Sequence, residues 1–217
     1  MPDSQETQET DLTRLQVLRL SRCNETQQEQ VTELFVDAYY KEMSNFSRDR
    51  QALIRAFSSA LDPSRLFVLL EDSEPVAMLG YATAKHRVLH PSEDAFIREF
   101  GVIRGGIGYK IFSYEYCRTL PIEAAAIYLE CLATAPQARG KGYAKRLMNW
   151  VMDTIPAETI YLDVNSSNQA AIHVHKSLGF QEIKRRFDPI GMMFMGYTHL
   201  LIMRRRGTKA TTGTAQR

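Results

Sequence analysis

The sequence predicts an α/β (α+β) domain: a mixed sheet with helices on both faces. Three observations predict it. Short β-type runs and longer stretches of helical periodicity follow one another in the order βααβββαβαββ. A glycine-bearing turn, Arg139 to Ala144, joins one of those runs directly to an amphipathic stretch. The 217 residues are 44% hydrophobic and 24% charged, which suits one globular domain with a sizeable core.

The elements follow in order. Residues 1–13 are polar and are expected to form a disordered leader before a domain spanning 14–203. Leu15 to Leu20 alternates as a strand does. Val31, Leu34, Phe35 and Ala38 mark a helix from Thr26 to Tyr40. Ser47 is the expected cap of a second helix, with Leu53, Ile54, Phe57 and Leu61 as its buried stripe. Leu66 to Glu71 and Val76 to Ala84 form a hairpin around the turn Asp72–Pro75, and Gly80 marks a bulge or close packing. Ala126 to Thr134 is the fourth strand. The helix after the glycine turn carries Ala144, Leu147, Met148, Val151, Met152 and Ile155 on one face. A strand from Thr159 to Val164, a helix capped by Asn168, and strands at Gln181–Phe187 and Tyr197–Met203 complete the domain. Residues 204–217 read as a basic disordered tail.

Residues 86–121 are left over between the third and fourth strands. Ser92 can cap a helix there, and Phe96, Ile97, Phe100, Ile103, Ile107, Tyr109, Ile111, Phe112, Tyr114 and Tyr116 give it an apolar, aromatic character, broken by Gly101, Gly105, Gly106 and Gly108. A helical insert of this length serves either as a wall of a substrate pocket or as extra helices that pack on the sheet or between subunits of a homodimer. A helix lying on a membrane is a third reading, opposed by Arg104 and Lys110.

The glycine turn is the most specific feature. A turn at a helix N-terminus leaves main-chain N–H groups unpaired and aimed one way, and the helix dipole adds positive potential. Gly140 and Gly142 let an anion approach the backbone. Lys145 and Arg146 oppose the dipole in the first turn but suit a bound polyanion. A Walker A loop is excluded because no Gly-Lys pair precedes Ser or Thr, and Lys145 stands where a dinucleotide fingerprint needs a small residue.

The spacing Arg139-x-x-Gly142-x-Ala144 resembles the pyrophosphate motif of the GNAT N-acetyltransferase superfamily. The block Asn168-Gln-Ala-Ala171-Ile-His-Val-His175-Lys-Ser-Leu-Gly179-Phe180 resembles that superfamily's second conserved block. The resemblance implies a largely antiparallel sheet and acetyl-CoA (an acyl-CoA) as cofactor. It places the cofactor on Leu132, Ala133, Thr134, Arg139, Gly140, Lys141, Gly142, Tyr143, Ala144, Lys145 and Asn168. The chain departs from the pattern at His175, where the family has a tyrosine that protonates the departing thiolate.

The expected reaction is direct transfer of an acetyl group to a primary amine, with a small-molecule acceptor. An acyl-CoA-binding or sensing module on the same fold is the alternative. At pH 7 only on the order of one in a thousand lysine-like amines is neutral, so a carboxylate must collect a proton. Glu130, in the middle of an apolar strand, is the first candidate for base or amine anchor, against a structural ion pair; Asp163 is the second. His175 shares the buried stripe of its helix with Ala171 and Leu178, and an ordinary pKa near 6.5 would let it act as the acid. His173 falls on the opposite face.

Composition narrows the partners. The net charge is +2, and the five cations of residues 204–217 lack any acid, so the body is mildly acidic and nucleic acid is not expected. Three widely spaced cysteines, Cys23, Cys117 and Cys131, indicate neither a disulfide framework nor a metal site. No stable membrane insertion and no secretory leader are expected, which makes a cytoplasmic setting the default.

Overall fold

The hairpin Leu66–Glu71 (β2) and Glu74–Ala82 (β3) forms the most buried part of a seven-stranded sheet. Its turn is tighter than the sequence implies. Asp72 and Ser73 both take the left-handed conformation (φ 51° and 69°), so Glu74 and Pro75 already belong to the strand. The structure, a computed structural model, describes residues 15–188, 192 and 197–207. The expected leader (1–13) and most of the expected tail lie outside the described residues.

Leu15–Arg19 (β1) pairs antiparallel with β2, and β3 pairs antiparallel with Ala126–Thr134 (β4). Thr159–Asn165 (β5) lies parallel to β4, and His199–Arg206 (β7) runs antiparallel between β5 and Gln181–Phe187 (β6). The strand order is β1-β2-β3-β4-β5-β7-β6, mixed and largely antiparallel as expected. The tail boundary is corrected: Arg204–Arg206 belong to β7, opposite Tyr161, Ile160 and Thr159, because ladder pairing from β5 continues to Thr159.

Glu25–Ala38 (α1) begins at a capping box, with Asn24 accepting from Gln27 N–H and Gln27 returning the bond. A single turn, Tyr40–Met43 (α2), follows. Arg50–Phe57 (α3) is capped by Asp49, which accepts from Ala52 N–H, and not by Ser47, whose hydroxyl accepts from Asp49 N–H in the turn before. Tyr143–Thr154 (α6) buries Leu147, Met148, Val151 and Met152. Gln169–Ser177 (α7) is capped by Asn168 through Ala171 N–H.

The segment between β3 and β4 forms two helices, Glu93–Phe100 (α4), capped by Ser92, and Val102–Tyr116 (α5). Only Gly101 breaks them. Gly105 and Gly108 lie inside α5 because it packs too closely for side chains there: a Cβ would sit 2.4 Å from Phe96 O and 2.4 Å from the Phe46 ring. Phe46, Phe57, Phe96, Phe100 and Phe112 make a run of edge-on and tilted ring contacts that fixes the pair against α3. Ile103, Ile107, Ile111 and Tyr114 remain exposed on the opposite side of α5. Gly80 has both properties expected of it. The β3–β4 register shifts beside it, and a Cβ would come within 2.6 Å of Val88.

Candidate functional site

β4 and β5 pair only through Ala126–Tyr128 and Thr159–Tyr161, yet both strands continue. The reason lies in β4. Cys131 has φ 59°, a left-handed conformation costly for a non-glycine residue, and four residues of β4 (130–133) span what three cover on β3 (Met78 to Gly80). This bulge turns β4 away from β5 and, among the described residues, leaves its outer edge from Leu129 to Thr134 without a strand partner. The edge pairing expected at Leu132, Ala133 and Thr134 therefore has a physical basis.

A cleft of about 1030 Å³ occupies the opening. It brings together Glu130, Leu132, Asp163, Asn168 and His175 from the sequence-predicted set. Ile111, Phe112, Tyr114 and Tyr116 of α5 form part of its wall, so the insert both packs on the domain and lines the cleft.

The glycine turn does not line this cleft. It follows β4 through a short 3₁₀ turn at Pro136–Ala138 and enters α6 at Gly142. Gly140 and Gly142 both have φ 79°, and a Cβ on either would meet nothing within 4 Å, so the backbone faces open space. Among the described residues no main-chain carbonyl accepts from the N–H of Gly140, Lys141, Gly142, Ala144 or Lys145, and Gly142 supplies no side-chain cap. Lys141 pairs with Glu71 at 3.0 Å, and the Tyr143 hydroxyl donates to the other oxygen of Glu71. Arg139, Lys145 and Arg146 are exposed. A diphosphate fits this cradle: free donors, no Cβ in the way, and cations around it.

Glu130 meets three donors. Its Oε2 accepts from Arg87 Nη2 at 2.7 Å and Nε at 2.9 Å, and its Oε1 accepts from Val88 N–H at 2.7 Å. Both partners are about 90% buried. The carboxylate is thus a structural ion pair that ties β4 to the start of the insert, and three donors hold its charge in place. A free base is the other reading, and the geometry disfavours it.

Asp163 is exposed to the cleft, and its Oδ1 accepts from the Tyr128 hydroxyl at 2.8 Å. Burial, and then the Asp163 charge, push that hydroxyl well above its ordinary pKa. His175 is 5% exposed beside Phe180, and burial lowers its pKa to about 4. It is neutral at pH 7, so the titration expected near 6.5 is displaced. Its Nδ1 is buried with no hydrogen-bond partner among the described residues. His173 is exposed, as its helix position predicts.

Three residues of the cleft escape a reading of local pattern: Tyr39, Glu42 and Arg87. Nothing in local sequence distinguishes a carboxylate that reaches a cleft from one on a solvated helix face. The positive φ of Cys131 is equally silent, since glycine or asparagine is the usual sign.

The profile of the Acetyltransferase (GNAT) family matches residues 28–180. The chain belongs to that family. The GNAT domain is similar to N-alpha-acetyltransferase RimI of Mycobacterium tuberculosis, 31% identical over 91 residues, 40% of this chain and 55% of that protein. It is 34% identical over 79 residues to the ribosomal protein bS18-alanine N-acetyltransferase of Haemophilus ducreyi, 35% of this chain and 52% of that protein. The chain thus spans about half the length of these two relatives. Among solved structures, the putative acetyltransferase yncA of Salmonella typhimurium with its cofactor acetyl-CoA shares the fold, with TM-score 0.55 and 12% identity over 94% of this chain and 99% of that one. Acetyl-CoA is the co-substrate of the family. Among the described residues no helix is long and apolar enough to cross a membrane.

Proposed function

We propose that this GNAT protein is an N-acetyltransferase that acetylates a primary amine on a small molecule with an apolar body, by direct transfer. The observation that carries the reading is the parting of β4 from β5 at Cys131, which opens an apolar cleft one short turn before the open amides of Gly140, Lys141, Gly142, Ala144 and Lys145.

The amides of the glycine turn would hold the diphosphate of the cofactor, with Arg139 and Lys145 adding positive potential. The unpartnered edge at Leu132–Thr134 would pair with the amide-bearing arm, as a sheet edge takes up a peptide. Acetyl-CoA supplies an acyl group already activated as a thioester. Glu130, held by Arg87, keeps the bulged strand in register with the insert and so orients that edge. Asp163 collects the ammonium proton, directly or through a water, and Tyr128 fixes the carboxylate for that task. His175, neutral in its apolar surroundings, offers a ring N–H to the departing sulfur and a rigid wall that excludes water. Asn168 holds the start of α7, and with it His175, at the edge of the cleft.

A second reading is favoured by the names of the two relatives, both N-acetyltransferases of protein amines: the acceptor is a polypeptide N-terminus. Thiol release from acetyl-CoA with a panel of arylalkylamines and of short peptides, with mass analysis of the products, tests both. An acetylated arylalkylamine supports the small-molecule reading, and acetylation of peptides alone replaces it. Cofactor binding without release to any amine would leave an acyl-CoA-binding module.

A further inference from the structure

We infer that Glu42, on the single turn α2, is the anionic anchor for the acceptor's ammonium group. The inference rests on the reading of the cleft as an amine-binding site and names the residue that selects a charged amine.

Three observations carry it. Glu42 lines the cleft, yet its Oε2 is fully buried and has no hydrogen-bond partner among the described residues. A buried carboxylate oxygen without a donor is unfavourable, because it has lost water and gained nothing. A ligand bearing N–H donors and a positive charge would compensate that cost directly. The other carboxylates of the cleft have donors: Glu130 accepts from Arg87, Asp163 from Tyr128 and Asp188 from Tyr197.

The second observation is convergence. Glu42 and Asp163 reach the cleft from different elements, one from α2 and one from β5. After burial, which is the larger cause, the charges of both raise the pKa of the Tyr39 hydroxyl and of the Tyr197 hydroxyl. The two carboxylates and the two phenols all line the one cleft. The third is position. Cys131, the residue of the bulge, lines the same cleft, so that space adjoins the point where the strands part. An ammonium held by Glu42 at its far side would stand within the field of Asp163, the group assigned to take its proton. Phe46 and Tyr116 line the same region and suit the apolar body of the acceptor.

The test is titration calorimetry of the CoA-saturated full-length protein and of Glu42→Gln. The probes are 2-phenylethylamine and, separately, a hexapeptide beginning with alanine. Whichever probe binds is expected to bind at least tenfold more weakly to the variant, with CoA affinity unchanged. The variant's melting temperature without ligand should equal or exceed that of the parent, since a carboxylate oxygen buried without a donor has been replaced. Equal affinity in the two proteins, or no binding of either probe to the parent, overturns the inference. So does a fall in melting temperature accompanied by loss of CoA binding, which would make Glu42 a residue of the fold. A parent that binds a probe through Glu42 but releases no thiol from acetyl-CoA would sink the proposed reaction alone.

Discussion

Replacing His175 with phenylalanine should flatten the acid side of the protein's stability profile. In the folded chain burial lowers the pKa of His175 from 6.5 to about 4, and nothing bonds its Nδ1. The unfolded chain therefore takes up the proton first. The stability that neutral His175 contributes is complete above pH 6.5 and is lost as pH falls from there through 4. For a shift from 6.5 to about 4, linkage gives a loss of about 2 kcal/mol between pH 7 and pH 5, and about 3 kcal/mol well below pH 4. The assay is urea unfolding of parent and His175→Phe at pH 7, 6 and 5, with midpoints converted to free energies. The difference between the two proteins should swing by about 2 kcal/mol in favour of the variant over that range, equivalent to roughly 4–8 °C in melting temperature for a chain of this size. Parallel profiles would show that His175 is solvated or partnered, and its neutral role beside the leaving sulfur would fall with the burial that justifies it. The same shift moves any His175 limb in turnover to near pH 4.

Arg87→Ala leaves the Glu130 carboxylate buried and uncompensated, so it should destabilise the fold by about 3–5 kcal/mol, whereas the double variant with Glu130→Gln should recover part of that in chemical denaturation. Asp163→Asn should lower turnover at pH 7 by roughly 10²–10⁴-fold, and the deficit should shrink toward pH 10, where the amine supplies its own neutral form; a pH-independent deficit would reject Asp163 as the proton acceptor. Cys131→Ile places a β-branched residue at φ 59°, so a loss of about 1–2 kcal/mol in stability and weaker CoA binding by calorimetry are expected together. Gly142→Val should weaken CoA binding at least tenfold without affecting titration of His175, because it crowds the amides and not the cleft.

Local sequence carries a great deal of this protein. Ladder alternation and helical stripes are short-range properties, so each of the seven strands and most helix starts are legible from neighbours alone. The glycine turn is legible for the same reason: free N–H groups at a helix start follow from Gly140 and Gly142 and from what comes next in the chain. The long-range arrangement is different. Glu130 reads as a lone carboxylate in an apolar strand until the fold brings Arg87 across 43 residues to meet it. Cys131 takes a left-handed turn that no pattern marks, because sheet pairing on one side and a bulge on the other impose it. Whether His175 is charged, and whether Glu42 has a partner, depends on which groups distant segments place around them. Desolvation and Coulomb energies are set by that three-dimensional neighbourhood, and adjacency along the chain does not encode it.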